Sequence, residues 1–502
     1  MNIAKNLEHS AFFFPERPVI RMGSSVIPYF RFNEQTNRVA TALLKLGVGP
    51  GDHVGLCAPN SSEWLAIYFG AMKVGAVAVT LPGAITRDEL DFLIKESVPK
   101  VIFTSEEKRD DLNEMRQSGV LIKIICPGGD LDFESLMEMG ASSFRAVERG
   151  RGDTAAILFT GGTTGGPKGV TLSHENIQTA IQAVVFNERS TANDCALCFL
   201  PFNHVFGQMH IMNATILSGG CLELIPAFDM AQVLEILSKG RVTKLFAVPT
   251  IYVRLLTLEN LKEKLGSVRY CFSAAASMAA EVVRQWKKRT DLDIHEAYGM
   301  TESASMVTYN HYHRHIIGSV GTAAGTTEIQ IRDLEGNILE HGEEGEICIR
   351  GRNIMKGYLN RLEETKSSFW NEWFRSGDMG KIDKDGYLHI VDRLKDMIIT
   401  GGENVYPKEI EEVLFTHPKV LECTVIGLPD KEWGERITAM VIPKPGQTVD
   451  DGELKDYLKT RLSAFKVPKE YRIMDQLPKS STGKILKRVL RKDLLEQVDK
   501  KV

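Results

Sequence analysis

Thr160-Gly161-Gly162-Thr163-Thr164-Gly165-Gly166-Pro167-Lys168-Gly169 puts five glycines, three threonine hydroxyls and one ammonium into ten consecutive residues. The apolar run Ala155-Ala156-Ile157-Leu158-Phe159 precedes it and Val170-Thr171-Leu172-Ser173 follows, which predicts a glycine-rich loop between two strands. Successive backbone N–H groups in such a loop form a concave nest for an anion, and the hydroxyls and ammonium add donors and charge. Phosphate is the natural guest. The loop is not a Walker A motif, because Gly-Pro-Lys-Gly replaces Gly-Lys-Ser/Thr and a strand rather than a helix comes next.

Further residues suited to chemistry follow in order. They are Leu200-Pro201-Phe202-Asn203-His204, Val248-Pro249-Thr250-Ile251-Tyr252, Tyr298-Gly299-Met300-Thr301-Glu302 and Ser376-Gly377-Asp378. After these come Arg393, Gly401-Gly402-Glu403-Asn404 and Pro478-Lys479-Ser480-Ser481-Thr482-Gly483-Lys484. The glycine-rich loop resembles the phosphate loop of the adenylate-forming superfamily, which comprises acyl-CoA synthetases, carrier-protein adenylation domains and luciferases. In that pattern a serine stands where this chain has Gly161. The other segments match the family in order, so the resemblance runs from the opening helices to about Arg488.

The resemblance implies ATP-dependent activation of a carboxylic acid as acyl-AMP with release of pyrophosphate, then transfer to a thiol with release of AMP. It implies ATP, Mg2+ and coenzyme A as cofactors. Lys484 is the implied catalytic cation, bridging the attacking carboxylate and the α-phosphate, and preorganised cations of this kind stabilise a transition state. Lys168 would close the loop Thr160 to Gly165 (Thr160, Gly161, Gly162, Thr163, Thr164, Gly165) over the outgoing phosphates, and His204 would gate or wall the acyl pocket. Tyr298 would lie against adenine, Thr301 would touch phosphate and Glu302 would supply the hard carboxylate for Mg2+. Ala275, Ala276, Glu296, Ala297, Gly299 and Met300 complete the implied nucleotide set. Asp378 would accept from the ribose hydroxyls, Arg393 would bind ribose or phosphate, Lys395 would be the hinge, and Gly401-Gly402 would line a thiol channel. Ser273-Ala274-Ala275-Ala276-Ser277-Met278 departs from the family's usual Ser-Gly-Gly/Ala-Ala-Pro-Leu, and Ala274 would narrow the adjoining acyl pocket.

The acid is read from what the pocket segments lack. Ala274 to Ala276 and Ala297 offer no cation for a second carboxylate, so a dicarboxylate is disfavoured, with Arg254 as the remaining candidate partner. Phe206, Met209, Tyr252, Met300 and Met306 would form an apolar wall suited to a fatty or aromatic monocarboxylate. No carrier segment follows, so the acceptor acts in trans. Free coenzyme A is expected ahead of a carrier protein. Two other readings stay open: an adenylating enzyme that loads a phosphopantetheinyl carrier, and a catalytically silent relative. Joint retention of Lys484, Glu302 and Asp378 argues against silence.

Such residues need a scaffold. At roughly 150 residues per domain, 502 residues predict about three domain-sized units. Helical patterns alternate with short apolar runs from residue 35 to 270, as in α/β layers around a largely parallel sheet. Residues 318–391 read as short strands and turns, a β-rich subdomain. The expected fold is therefore α/β: a large N-terminal domain over 1–392, a hinge at 393–395, and a small mobile α+β lid over 396–502. A helix over 34–46, one beginning at the capping-box-like Asn60-Ser61-Ser62-Glu63, and one over 451–462 belong to this reading. The basic tail 479–502 reads as a solvated helix face.

Composition closes other classes. Hydrophobic residues at 43% and charged ones at 25% exclude wholesale disorder, and a net charge of −4 argues against a nucleic-acid binder. The start Met1-Asn2-Ile3-Ala4-Lys5 lacks the apolar core of a signal peptide, and residues 64–82 read as a helix and a strand rather than a membrane span. A cytoplasmic protein is expected. Cys195-x-x-Cys198 lies in a strand-like run with no second ligand pair, so it reads as structural.

Overall fold

A computed structural model describes residues 1–117, 119, 122–161, 166–480 and 483–499, the last three of these by backbone only. Among the described residues, two seven-stranded sheets form the frame of the N-terminal part. The first contains His53–Cys57, Val77–Thr80, Val101–Thr104 and Thr154–Thr160 as parallel neighbours, with Lys168–Ser173 added antiparallel. The second sets Cys195–Cys198, Cys221–Leu224, Lys244–Ala247, Tyr270–Ser273 and Ile294–Glu296 side by side and parallel. Every residue of these last five strands is buried, as expected of parallel strands covered on both faces.

The helices start where short polar side chains can cap them. Ser61 accepts from Trp64 N at 3.1 Å and opens Ser62–Lys73, though without the reciprocal bond from a glutamate. Thr86 and Glu89 form a full capping box ahead of Arg87–Ser97. Two predicted helix limits move. The helix expected over 34–46 begins at Tyr29, directly after Pro28, and the one expected to reach Leu462 stops at Lys459. Phe206–Asn213 has the wide turns of a π-helix, which a 3.6-residue periodicity does not signal.

The β-rich stretch is an antiparallel sheet of Glu328–Arg332, Gly345–Arg350, Trp373–Ile382 and Leu388–Arg393, with Phe369–Trp370 at its edge. Beyond it, residues 398–471 build a core of their own around Val405, Leu414, Val425, Ala439 and Leu458. A smaller cluster of Leu428, Met440, Leu490 and Leu494 packs the last helix onto the same sheet. At the junction, the buried Asp392 carboxylate accepts from Arg393 N (2.7 Å) and Lys408 N (2.9 Å), while Lys408 Nζ donates to Ile390 O (2.6 Å).

Cys195 and Cys198 project to opposite faces of one strand, so they share no ligand; all eight cysteines are buried thiols. No described helix is long and apolar enough to cross a membrane. The basic tail is less solvated than its composition suggests. Lys479 pairs with Glu422, Lys487 with Glu411 and Arg491 with Glu435, because this helix caps the second cluster of the C-terminal sheet.

Candidate active site

The glycine-rich loop is the turn of a hairpin. Thr154–Thr160 and Lys168–Ser173 pair antiparallel, with Phe159 opposite Gly169 and Thr160 opposite Lys168. Space at Gly169 is tight, since a Cβ there would lie 3.1 Å from Ile157 and from Phe159. Gly162, Thr163, Thr164 and Gly165 lie outside the described residues. Thr160 is half-buried and Gly161 exposed at the loop's start. Lys168 forms an ion pair with Glu364 and stands 5.1 Å from the Tyr358 ring centroid, so partners from the chain hold it beside the loop.

The segments expected to hold the nucleotide leave the carboxyl ends of two adjacent parallel strands, with Ser273 opposite Glu296 in register. That is where open α/β sheets bind ligands. Ala274, Ala275 and Ala276 leave one strand, Ala297 and Tyr298 the other. Ala275 sits at φ +72°, a left-handed conformation that costs a residue with a Cβ about 1 kcal/mol or more. Tyr298 Oη donates to Asp378 Oδ2 at 2.6 Å, and Arg393 Nε lies 3.5 Å from Asp378 Oδ1. The pairing of Asp378 with Arg393 across antiparallel strands sets that geometry.

Gly299 and Met300 pair with Met306 and Ser305 in a tight hairpin. A Cβ on Gly299 would lie 2.1 Å from Ser305 O, so Gly299→Ala is expected to lose about 1–3 kcal/mol of stability through overpacking. A thermal unfolding midpoint equal to that of the parent would contradict this. Thr301 and Glu302 follow in a 3-10 turn. Glu302 accepts from Tyr358 Oη at 3.0 Å and makes no ion pair among the described residues. Burial, and then the nearby Asp378 charge, pushes its carboxyl upward. Glu296 is buried with Oε2 unpartnered, and desolvation raises it to about 8, so it is a neutral acid rather than an anionic ligand at neutral pH.

The loop that carries Lys484 presses on the N-terminal part. Thr250 Oγ1 donates to Gly483 O at 3.2 Å, and Ser480 and Lys484 close the loop through N–H···O bonds of 2.8 and 3.2 Å. Gly483 stands at φ +85°, and a Cβ there would meet Val248 and Thr250 at 3.1 and 3.2 Å. The charges of Arg393, Asp378, Lys395 and Asp396 act on the Lys484 ammonium, and its own charge acts on His204. Burial first, and then the Arg393 guanidinium, lower its ammonium to about 8. His204 accepts from Phe206 N through Nδ1 at 3.2 Å; burial and the Lys484 charge lower it to about 4, so it is neutral.

The structure thus gathers Tyr298, Asp378, Arg393, Lys395, Lys484 and His204, with Glu302 and Lys168 linked through Tyr358. Gly401 and Gly402 stand apart, in an exposed turn at φ +61° and +85° against Trp433. Tyr252 is not a pocket wall. Its single hydroxyl hydrogen is shared between Leu245 O and Phe272 O (3.1 and 3.0 Å away), and its ring packs on Trp286 inside the core. Tyr358 and Glu364 were not legible in advance, because nothing near them in sequence marks their contacts with Glu302 and Lys168. A cavity of about 380 Å³ lies under the 479–483 loop, lined by Pro201, Phe228, Ile251, Arg254, Lys479 and Gly483 among others.

A layered α/β frame carrying a phosphate hairpin, a Tyr–Asp–Arg cluster and an inserted lysine loop defines a nucleotide-dependent enzyme of the AMP-binding type. The chain belongs to the AMP-binding enzyme family: that family's model matches residues 7–359, and the model of its C-terminal domain matches 409–484. Feruloyl-CoA synthase of Amycolatopsis sp is 34% identical over 481 residues, 95% of this chain and 96% of that one. Long-chain-fatty-acid–CoA ligase FadD13 of Mycobacterium tuberculosis is 36% identical, covering 94% of each chain. Among solved structures, ATP-bound MatB from Rhodopseudomonas palustris superimposes with a TM-score of 0.91 at 35% identity, covering 98% of this chain and 99% of the other. The anthranilate CoA ligase AuaEII in complex with anthranoyl-AMP gives 0.93 at 28% identity, over 98% and 97%.

Proposed function

We propose that the protein is an AMP-forming acyl-CoA synthetase that activates a monocarboxylic acid with ATP and passes the acyl group to the thiol of coenzyme A. The observation that carries this reading is the convergence of Lys484 with Asp378, Arg393 and His204 beneath one loop. Relatives named as CoA ligases, and structures titled as ATP-bound and acyl-AMP-bound, support it.

In the adenylation step two anions must approach, so the protein's work is charge cancellation and alignment. Lys484 holds its ammonium between carboxylate and α-phosphate. Asp378, oriented by Tyr298 and Arg393, accepts from the ribose hydroxyls. Lys168 exchanges Glu364 for the outgoing phosphates, and neutral His204 walls the acyl side without competing for the carboxylate. No group of three or more metal-ligating side chains occurs among the described residues. A single half-buried carboxylate at Glu302, without an ion pair among the described residues, nevertheless fits Mg2+, which is bound by one or two carboxylates plus phosphate oxygens. When bound, Mg2+ supplies charge neutralisation at the phosphates.

For the second step, residues 393–395 act as a hinge between a domain over 1–392 and a lid over 396–502, and the separate core of the C-terminal part suits such a motion. Rotation withdraws Lys484 and brings the Gly401-Gly402 turn inward. The N-terminal wall of the cavity, with Phe228, Ile251 and Arg254, stays in place when the lysine loop leaves and supports coenzyme A as acceptor, since its apolar part matches a pantetheine arm and Arg254 offers a cation to phosphate. Arg254 is thereby assigned to the acceptor rather than to a second substrate carboxylate.

A pyrophosphate-release assay across short, long and aromatic acids, followed by thioester detection with coenzyme A, tests the reading; no release with any acid would end it. The state of Lys484 adds a pH signature. Its ammonium is present below about 8 and lost above it, so kcat/KM for adenylation is expected to fall about tenfold per pH unit above 8. Lys484→Arg, always cationic, should lack that limb whatever its overall rate. A parent profile flat to pH 10 would remove the requirement for a charged Lys484.

A further inference from the structure

Cys195 and Cys221 carry chemistry that the proposed mechanism does not use. They open two adjacent parallel strands and stand directly opposite each other in register, so their side chains share one face of the sheet. Parallel neighbours lie about 4.8 Å apart, inside the ~4.4–6.8 Å Cα separation that a disulfide spans. Each of the two is 7% exposed, whereas no other cysteine exceeds 2%, so a small oxidant meets this pair first. On the other side of the Cys221 strand runs Pro18–Met22, which sets Arg21 opposite Glu223, two residues on from Cys221 and on the same face.

The two thiols hydrogen-bond each other, and the Arg21 guanidinium hydrogen-bonds the Cys221 sulfur. The bond from Cys195, and then the Arg21 charge, hold the Cys221 thiol below its usual range against burial. The same bond, and then burial, hold Cys195 above it. Burial raises each of the other six thiols. A thiolate beside a cation, with a second thiol in reach, is the arrangement of an attacking and a resolving cysteine. The two strands also lead toward the site. Past Cys198 one runs into Phe199 and Leu200, and past Leu224 the other runs to Pro226 and Phe228; all four line the cavity under the lysine loop, with 5.2 Å between the ring centroids of Phe199 and Phe228.

We propose that Cys195 and Cys221 are a redox-active pair that a hydroperoxide closes into a reversible disulfide, tying together the two strands that feed this cavity. The Cys221 thiolate attacks one peroxide oxygen: an S–O bond forms, the O–O bond breaks and hydroxide leaves. The Cys195 sulfur then attacks the sulfenic sulfur, giving up its thiol proton. The S–S bond forms, the S–O bond breaks and water leaves. The two sulfurs together lose two electrons and the two peroxide oxygens gain them. A thiol such as glutathione reopens the bond by exchange. This chemistry is separate from acyl activation.

The experiment treats the folded parent with hydrogen peroxide, quenches it, denatures it in an alkylating agent, and maps its peptides by mass. The parent should lose two of its eight free thiols and two hydrogen masses, give one linked peptide pair joining Cys195 to Cys221 within one chain, and regain both thiols with dithiothreitol. Cys195→Ser, with no resolving thiol, should instead hold Cys221 as the sulfenic acid, which dimedone traps. If that variant does not fold, the linked peptides of the parent decide. Survival of all eight thiols overturns the proposal, as does a link between any other pair or oxidation of Cys221 past the sulfenic stage without a link.

Discussion

Lys484→Ala should lose adenylate formation by roughly 10²–10³-fold while still converting supplied acyl-adenylate and coenzyme A to thioester at close to the parent rate. The split follows from where the ammonium stands. It lies within electrostatic reach of Asp378, Arg393 and His204, where on the proposed reading carboxylate and α-phosphate meet, and the loop holding it is fixed to Thr250 through Gly483. On the proposed reading the loop has left the site when the thiol attacks, so the lysine has no second task. Equal loss of both half-reactions, measured by pyrophosphate release and by thioester formation from synthetic acyl-adenylate, would sink the assignment. Alanine also removes the cation that lowers His204, so the His204 imidazole should titrate closer to its ordinary range in the variant.

Glu302→Gln carries the second large effect. The carboxylate is half-buried, hydrogen-bonded to the Tyr358 hydroxyl and free of an ion pair among the described residues. The amide keeps the size and can still accept from Tyr358, so the fold should survive. The charge is lost, and a hard divalent cation gains little from a neutral amide. A fall of about 100-fold in kcat/KM is expected, with a higher Mg2+ concentration needed for half-maximal rate. Tyr358→Phe should cost far less, because it removes one neutral donor and leaves the charge. A Glu302→Gln enzyme with the parent's rate and Mg2+ dependence would show that this carboxylate does not serve the metal.

The strands around the phosphate loop were legible in the sequence because apolar runs and glycines mark them locally. The meeting of Tyr298, Asp378 and Lys484 was legible only through family resemblance, since nearly two hundred residues separate the first from the last. What escaped was set by tertiary context. Tyr252 looked like an apolar wall, but its hydroxyl bonds to Leu245 O and Phe272 O hold it in the core. Lys487 belonged to a basic run, yet at the start of the last helix it is half-buried in an ion pair with Glu411. The left-handed turn at Ala275 carries no signature in an alanine triplet. The Cys195–Cys221 pair joins two strands, and no spacing in the sequence relates its members.

The junction at Asp392 bears on timing. The C-terminal part keeps its own cores, so turning it exposes little apolar interior; what holds its present angle includes the bonds from Lys408 N to Asp392 and from Lys408 Nζ to Ile390 O. Each such bond contributes only about 1 kcal/mol net, and water replaces it readily. A clasp this light works as an escapement. On the proposed reading, Lys484 adds its attraction and the clasp holds while both anions lie between the halves; once pyrophosphate departs, that attraction shrinks and ordinary thermal motion releases the next beat of the cycle.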